Sequence, residues 1–312
     1  MTEAGSPRIR TFSYHYRQKF GRSVGKIPLD VGVSCPNRER GGCIFCRPAG
    51  FTPHYLSKSD DLARQVAAGK AGLLQGRFRG YFAYFQQETC TAMPAERLLP
   101  LLREVLADPD CVGLILSTRP DCVDDALILP LAELVTKSAR ECLFELGLQS
   151  VHERSLAFLN RNHCFADFCQ AAERIRAAGS FQLGAHLIFG IPGETEEDML
   201  ASLAEVCRQG VTHLKLHHLQ VIRETPLHDL YELGRVPLFS RGGYLDFLLR
   251  ALPRIPADIT IHRLWATAHP EYLVAPKWQI LAGQLSRELL EKMAELGVWQ
   301  GQLAVQDRMN GR

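Results

Sequence analysis

Residues 27–46 read IPLDVGVSCPNRERGGCIFC and join an apolar, β-branched run, Ile27–Ser34, to a loop that contains three cysteines. The cysteines, Cys35, Cys43 and Cys46, are spaced Cys-x7-Cys-x2-Cys in a turn-rich segment. A fully protein-ligated [4Fe–4S] cluster takes four cysteines, so three thiolates would leave one iron open to a small molecule. The stretch therefore predicts a strand that is followed directly by a cluster-binding loop.

The same cysteines are compatible with two other interpretations. A Cys-x2-Cys pair is common in structural zinc sites, which take four tetrahedral ligands, and His54 can complete a Cys3His set. The cysteines can also be unrelated free thiols. The chain has ten cysteines, most of them scattered singly through apolar segments. That pattern is typical of buried thiols in a reducing compartment, so we do not expect a disulfide.

Outward from this loop, short apolar runs alternate with longer amphipathic stretches. The predicted strands are Ile27–Ser34, Gly80–Gln86, Val112–Thr118, Cys142–Gln149, Phe181–Phe189 and Val211–Gln220. The predicted helices lie at about 57–74, 94–107, 124–138, 151–178 and 195–209. Strand–helix alternation favours a parallel sheet with helical crossovers. We therefore expect an α/β fold, namely a partial (β/α)6 TIM-type barrel.

Unusual polar residues follow the carboxyl ends of the predicted strands. In strand order they are the cysteine loop, then Gln86 and Glu88, Thr118 and Arg119, Gln149 and Ser150, the segment from Gly190 to Glu194, and finally His217, His218 and Gln220. In a barrel of parallel strands, the chemistry lies in the loops at this end. The placement predicts one site at the mouth of the barrel.

The chain divides into three predicted segments: a basic arm (1–26), a barrel core (27–221) and a C-terminal α/β extension that packs on the barrel (222–312). Within the extension, Asp258–Leu264 predicts one more short strand and a helix runs from about Pro276 to Leu296. No clean linker separates these segments, and a length of 312 residues suits a single barrel domain.

The charge of the chain is small overall but uneven. The formal net charge is +2, whereas the stretch from Arg8 to Lys26 has six basic residues, four aromatic residues and no acidic residue. Such a stretch can bind phosphates and stack bases, although it also occurs as an arm packed on its domain. No signal peptide is evident and no run of about 18 apolar residues predicts a membrane span. We expect a cytoplasmic protein.

Nine ordered blocks resemble the YhcC-like family of radical S-adenosylmethionine (SAM) proteins, which is related to the Elongator-type radical SAM domain. The blocks are FGRSVGKIPLDVGVSCPNR, GGCIFC, YFQQETCT, STRPDC, ELGLQS, NRNH, HLIFGIPGET, LKLHHLQVIRETPL and LVAPKW. Three features depart from the family pattern. The cysteine loop is several residues shorter, Glu88 and Cys90 stand where an aromatic residue and an amide are expected, and WATAHP near residue 265 lacks a Gly-Asp pair.

The resemblance implies that Cys35, Cys43 and Cys46 ligate three irons of a [4Fe–4S] cluster and that the open iron binds SAM through its amino and carboxylate groups. One electron from an external reductant, such as flavodoxin or ferredoxin, would then cleave SAM to methionine and a 5′-deoxyadenosyl radical. The implied SAM contacts are Phe45, His186 and Gly190 near the adenine, Gln86 and Glu88 at the amino group, Thr118 and Arg119 at the ribose or carboxylate, Gln149 and Ser150 at the ribose, and His217 at the same mouth.

RNA, and tRNA in particular, is the substrate class that the Elongator kinship and the basic arm favour. A small molecule or a protein is the alternative substrate. A zinc-stabilised binding module, or an electron-transfer or sensor protein with a cluster and no SAM chemistry, are the alternative functions. No catalytic side chain is assigned from the sequence.

Overall fold

The computed structural model describes residues 7–56, 61–73, 76 and 78–304. The strands are β1 (Gly25–Leu29), β2 (Tyr81–Phe85), β3 (Cys111–Thr118), β4 (Glu141–Gln149), β5 (Gln182–Phe189), β6 (His213–His218), β7 (Val221–Ile222), β8 (Thr260–Arg263) and β9 (Leu273–Ala275). The α-helices are α1 (Phe12–Phe20), α2 (Leu62–Leu73), α3 (Ala95–Leu106), α4 (Asp125–Ser138), α5 (Glu153–Phe158), α6 (Phe165–Ala177), α7 (Glu196–Arg208), α8 (Pro226–Glu232), α9 (Arg241–Ala251) and α10 (Ala282–Glu295).

Seven strands form one sheet in the order β1-β2-β3-β4-β5-β6-β8. Every neighbouring pair in it is parallel. The sheet curls into a partial barrel with β1 and β8 at its edges, which confirms the predicted α/β barrel-type fold. The seventh strand, β8, comes from the predicted strand in the C-terminal extension, so the extension contributes to the barrel itself.

The two faces of the sheet have different neighbours because side chains alternate along a strand. In β2, Ala83 and Phe85 join the main apolar cluster, which includes Leu98 of α3. Phe82 and Tyr84, which point to the opposite face, join a second cluster together with residues of α1. The outer face of the sheet therefore packs on the crossover helices, and the inner face packs partly on α1.

The N-terminal segment closes the space between the two edge strands. Thr11 forms a parallel bridge with Ile261 of β8, and α1 then leads the chain to β1. Phe12 and Tyr16 of α1 are buried against the ring of Phe82. Several of the basic residues in this arm have intramolecular partners, for example Lys19, whose Nζ lies 2.6 Å from Glu141 Oε2. Much of the predicted basic arm is thus a wall of the barrel.

For two predicted elements the structure shows why they end or break earlier than the sequence pattern indicates. Strand β1 ends at Leu29 and not at Ser34, because Asp30 Oδ1 accepts a hydrogen bond from Gly32 N at 2.8 Å and turns the chain. The predicted helix at 151–178 is two helices, α5 and α6. Between them Asn160 has φ 51° and Asn162 has φ 50°, a left-handed conformation that asparagine tolerates better than most residues.

The first crossover helix is described from Leu62 onward, and its predicted start near residue 57 lies outside the described residues. In the extension, β7 and β9 form a small antiparallel sheet. Leu227 of α8 donates its backbone N–H to Ile44 O at 2.9 Å, which attaches the extension to the cysteine loop. Among the described helices, none has the length and apolar character that a membrane crossing requires.

Candidate active site

A cavity of about 510 Å³ lies at the carboxyl ends of the parallel strands. Its walls include the cysteine loop after β1 and the ends of β2 to β6, as the sequence pattern predicts. All but two of the predicted site residues line it, namely Cys35, Cys43, Phe45, Cys46, Gln86, Glu88, Thr118, Arg119, Gln149, His186 and His217. The structure therefore brings these side chains into one chamber.

The two exceptions are Ser150 and Gly190, which are absent from the cavity lining. The Ser150 hydroxyl lies 2.5 Å from Glu194 Oε1, to which it donates a hydrogen bond. Gly190 has φ 86°, and a Cβ at this position would lie 3.0 Å from the Phe239 ring. The glycine thus permits a turn and close packing against the extension, and neither placement supports the predicted SAM contact.

The turn between α5 and α6 fixes the cysteine loop. Asn160 Nδ2 donates to Gly42 O at 2.6 Å and to Arg40 O at 3.0 Å. In return, Asn37 Nδ2 donates to Asn160 O at 2.8 Å. The helix break that the sequence pattern missed is therefore the element that shapes the loop around the cysteines.

Cys43 is buried, and its sulfur accepts two hydrogen bonds. Asn37 Nδ2 lies 3.2 Å and Arg161 Nη1 lies 3.1 Å from Cys43 Sγ. Hydrogen bonds to sulfur tune the potential of iron–sulfur clusters. The donor set around Cys43 therefore fits a cluster ligand. Neither Asn37 nor Arg161 was predicted, although an asparagine pair around an arginine inside a helical pattern (NRNH) was the available signal.

The zinc alternative needs His54 beside the three cysteines. His54 Nε2 instead lies 2.6 Å from His269 Nε2, and His54 is not part of the cavity wall. Within the described ranges, no three His, Cys, Asp or Glu side chains are arranged to hold a single metal ion. The structure does not assemble the Cys3His set.

Glu88 connects the loop after β2 to the first cysteine. Its Oε2 accepts the backbone N–H of Cys35 at 3.1 Å and lies 2.9 Å from Arg38 Nε. Glu88 has φ 52°, which turns its side chain back across the cysteine loop. Both carboxylate oxygens contact this loop, so Glu88 positions the loop even though it also borders the cavity.

Several buried polar atoms in the cavity wall have no hydrogen-bond partner among the described residues. Arg119 forms a two-point ion pair with Asp121 at 2.8 and 2.9 Å, yet its Nη1 is unpaired. The other unpaired atoms on the wall include Gln149 Oε1, His186 Nε2 and His217 Nε2. Buried polar atoms are normally hydrogen-bonded, so this wall fits a polar ligand such as SAM.

His186 and His217, two of the three histidines on this wall, are neutral at neutral pH. Burial lowers the pKa of His186 well below its ordinary value, and the nearby Lys215 charge adds to the effect. Burial, followed by the influence of His186, does the same to the pKa of His217. Their rings meet edge to face with centroids 4.1 Å apart, so they present neutral hydrogen-bonding groups to the cavity.

A buried charge cluster lies deeper on the inner face of the sheet. Lys215 Nζ lies 3.1 Å from Glu145 Oε2 and 2.6 Å from the Tyr84 hydroxyl, which itself donates to Glu145 at 2.6 Å. Burial opposes ionisation of Glu145, but Lys215, His262 and Lys26 together hold its pKa well below the usual range. The sequence signal for Glu145 is a charged residue in the middle of an apolar strand.

Comparison with known proteins agrees with this geometry. Residues 30–206 match the Radical SAM superfamily and residues 211–295 match the Radical_SAM C-terminal domain. The YtqA protein of Bacillus subtilis (strain 168) is 34% identical over 300 residues, which cover 94% of this chain and 92% of that protein. The YhcC protein of Escherichia coli (strain K12) is 32% identical over 277 residues, 86% of this chain and 87% of that protein.

More distant similarity extends to Elongator complex protein 3. The Danio rerio protein is 26% identical over 204 residues, which are 64% of this chain and 36% of that protein. The structure of archaeal Methanocaldococcus infernus Elp3 with an N-terminal deletion superposes with a TM-score of 0.64 at 17% identity and covers 89% of this chain and 64% of that one. This last comparison supports the fold alone. Because the family match spans more than half of the sequence and is joined by two relatives above 30% identity, the chain belongs to the radical SAM superfamily of enzymes, which use a [4Fe–4S] cluster and SAM.

Proposed function

We propose that Cys35, Cys43 and Cys46 of this protein hold the [4Fe–4S] cluster and that SAM is cleaved reductively in the adjoining cavity for modification of a substrate. The observation that supports it is a single chamber whose wall carries all three cysteines, one of them with two N–H donors on its sulfur. When bound, the cluster and SAM supply the hard chemistry: one electron breaks the sulfonium C–S bond and gives methionine and a 5′-deoxyadenosyl radical that removes hydrogen from the substrate.

The residues of the chain would bind, orient and shield these groups. Asn37 and Arg161 donate hydrogen bonds to Cys43 Sγ, and Glu88 fixes the loop at Cys35. The unpaired Arg119 Nη1 and Gln149 Oε1 are the proposed hydrogen-bonding groups for SAM. A cavity of about 510 Å³ is within the usual range of ligand sites. The electron would come from an external reductant of the flavodoxin or ferredoxin class.

Anaerobic reconstitution, followed by iron and sulfide assays and by chromatography after addition of SAM and dithionite, tests this function. We expect an iron–sulfur protein that forms 5′-deoxyadenosine, and a Cys43→Ala variant that has neither the full cluster nor the product. Cys207→Ala, which changes a cysteine outside the cavity, is the matched control. Colourless protein with zinc, or a reducible cluster without 5′-deoxyadenosine, would contradict the proposal.

RNA, with tRNA first, is the proposed substrate class. Support comes from the similarity to Elongator complex protein 3. The N-terminal basic segment adds less than its composition indicated, because Arg8, Arg10 and Lys19 contact other parts of the chain. The ten cysteines form no disulfide, which favours a reducing cytoplasm as the compartment. Comparing tRNA nucleosides from cells with and without the gene is the test, since a missing modification identifies the substrate.

A further inference from the structure

The cavity wall carries two groups of cationic side chains. The first lies at the cysteine loop, where Arg161 donates to Cys43 and Arg119 pairs with Asp121. The second group consists of Lys26, Lys215 and Arg263, which belong to β1, β6 and β8 and also line the cavity. The first group lies beside the proposed cluster ligands, whereas the residues of the second group belong to the strands of the sheet.

The strand geometry brings the second group together. Lys215 and Arg263 are register partners on the neighbouring strands β6 and β8. Lys26 reaches across from the opposite edge of the sheet, and its Nζ lies 2.9 Å from His262 Nδ1, beside Arg263. We call Lys26, Lys215 and Arg263 the inner cationic group.

The inner cationic group has fewer negative partners than positive charges. Glu145 forms an ion pair with Lys215. Burial lowers the pKa of His262 to about 3, so the imidazole beside Lys26 is neutral and adds no further positive charge. Within the part of the chain that the structure describes, the Arg263 side chain forms no hydrogen bond or ion pair, and Lys26 forms no ion pair. Burial lowers the pKa of Lys26 to about 7, so Lys26 is only partly charged at neutral pH, and Arg263 is the full cation that lacks a carboxylate partner.

Cationic side chains that face a cavity without a partner are the usual recognition element for anions. The planar guanidinium of arginine matches the oxygens of a carboxylate or a phosphate. Neighbouring groups on the same wall can add hydrogen bonds, since the Nε2 atoms of His186 and His217 are buried and unpaired among the described residues. We propose that the inner cationic group binds a carboxylate or phosphate of the substrate.

This inference rests on the proposed function for its link to the substrate. In that function the carboxylate of SAM would bind at the cluster beside the cysteine loop, so the inner cationic group would remain for a second anion. Because the group lies on the inner face of the sheet, the anion has to be terminal in the molecule that carries it. An anionic group at the end of a nucleobase substituent would meet this requirement, whereas a backbone phosphate inside an RNA strand, which continues on both sides, would not.

The test is equilibrium binding of inorganic phosphate and of acetate to the anaerobic, cluster-loaded protein with SAM present and no reductant, measured by calorimetry. We expect saturable binding that Arg263→Gln weakens by about tenfold or more, as removal of a charge-assisted hydrogen bond predicts, and that Arg263→Lys weakens less. Arg235→Gln is the matched control, because Arg235 is exposed and outside the cavity wall. Circular dichroism checks that each variant is folded.

Tighter binding of phosphate assigns a phosphate-bearing substrate and tighter binding of acetate assigns a carboxylate-bearing one; both support the proposal. Absence of saturable binding by either anion, unchanged affinity in Arg263→Gln, or an equal loss in Arg235→Gln overturns it. Binding needs no SAM cleavage, so the two proposals can fail separately. Protein that binds an anion but forms no 5′-deoxyadenosine contradicts only the proposed function, and the reverse result contradicts only the anion site.

Discussion

Arg161 donates a hydrogen bond from Nη1 to the sulfur of Cys43 at 3.1 Å, although the two residues are 118 positions apart in the sequence. Arg161 is buried and its second amino group donates to Gly147 O at the end of β4. The guanidinium therefore joins the cysteine loop to the centre of the sheet, and its positive charge lies next to a proposed cluster ligand.

We expect Arg161→Met to lower the reduction potential of the reconstituted cluster, because a donor that stabilises the extra negative charge of the reduced state is lost. A charge-assisted hydrogen bond contributes about 1.5–3 kcal/mol, so a shift of roughly 60 mV or more is expected for a one-electron couple. Potentiometric titration followed by electron paramagnetic resonance measures it. Arg154→Met, in an exposed pair with Asp198, is the control, and an equal potential in both variants would count against the role of Arg161.

Glu88 is expected to affect retention of the cluster more than its ion-pair partner does. Glu88→Ala removes the acceptor for the Cys35 N–H and the partner of Arg38, whereas Arg38→Ala removes only an ion pair that is 38% exposed on the arginine side. Exposed ion pairs contribute about 0–1 kcal/mol. Loss of cluster absorbance in the presence of a chelator should be several-fold faster in Glu88→Ala. Equal rates in the two variants would show that the Cys35 hydrogen bond is unimportant.

The buried pair of Glu145 and Lys215 gives a stability prediction. Lys215→Met leaves a carboxylate that is 2% exposed without its ion-pair partner, which should lower the free energy of unfolding by roughly 3–5 kcal/mol. Urea denaturation at pH 7 measures the change. The double variant with Glu145→Gln should recover much of the loss, because the carboxylate that lost its partner is then neutral as well. A double variant as unstable as Lys215→Met would refute the electrostatic explanation.

The lowered pKa of Glu145 also predicts that the free energy of unfolding depends on pH. Its pKa in the folded protein is well below the ordinary value of 4.5, so the unfolded chain binds its proton first as the pH falls. The stabilisation is complete above pH 4.5 and decreases as the pH falls toward the lower folded pKa. The difference in free energy of unfolding between wild type and Glu145→Gln should therefore shrink between pH 6 and pH 3. A constant difference across that range would contradict the assignment.

The sequence predicted the elements whose signals are local. Strand β5 was expected to end at Phe189 and does, and α7 begins one residue after Thr195, which forms a capping box with Asp198. The break at Asn160 was missed because the residues that stabilise it, near Gly42, are far away in the sequence. Local patterns contain no information about such partners.

The residues of the candidate site also divide into those that the sequence pattern predicts and those that depend on distant partners. Residues at the carboxyl ends of parallel strands could be predicted to meet, since the topology places those ends on one edge. Lys215 and Arg263 could not be paired in advance, because their proximity depends on β8 joining β6 at a particular register. The strand that carries Arg263 was assigned to an outer extension, and its position in the sheet follows only from the three-dimensional fold.

The bridge between Thr11 and Ile261 has a practical consequence for handling this protein. Phe12 and Tyr16 follow the bridge and fill the inner end of the barrel. Helix α1 therefore closes this end of the barrel. Proteolytic trimming or a bulky fusion that dislodges it would admit solvent from below. Unproductive cleavage of SAM, with C–H groups of the buffer as the hydrogen source, is the outcome to expect from such a preparation.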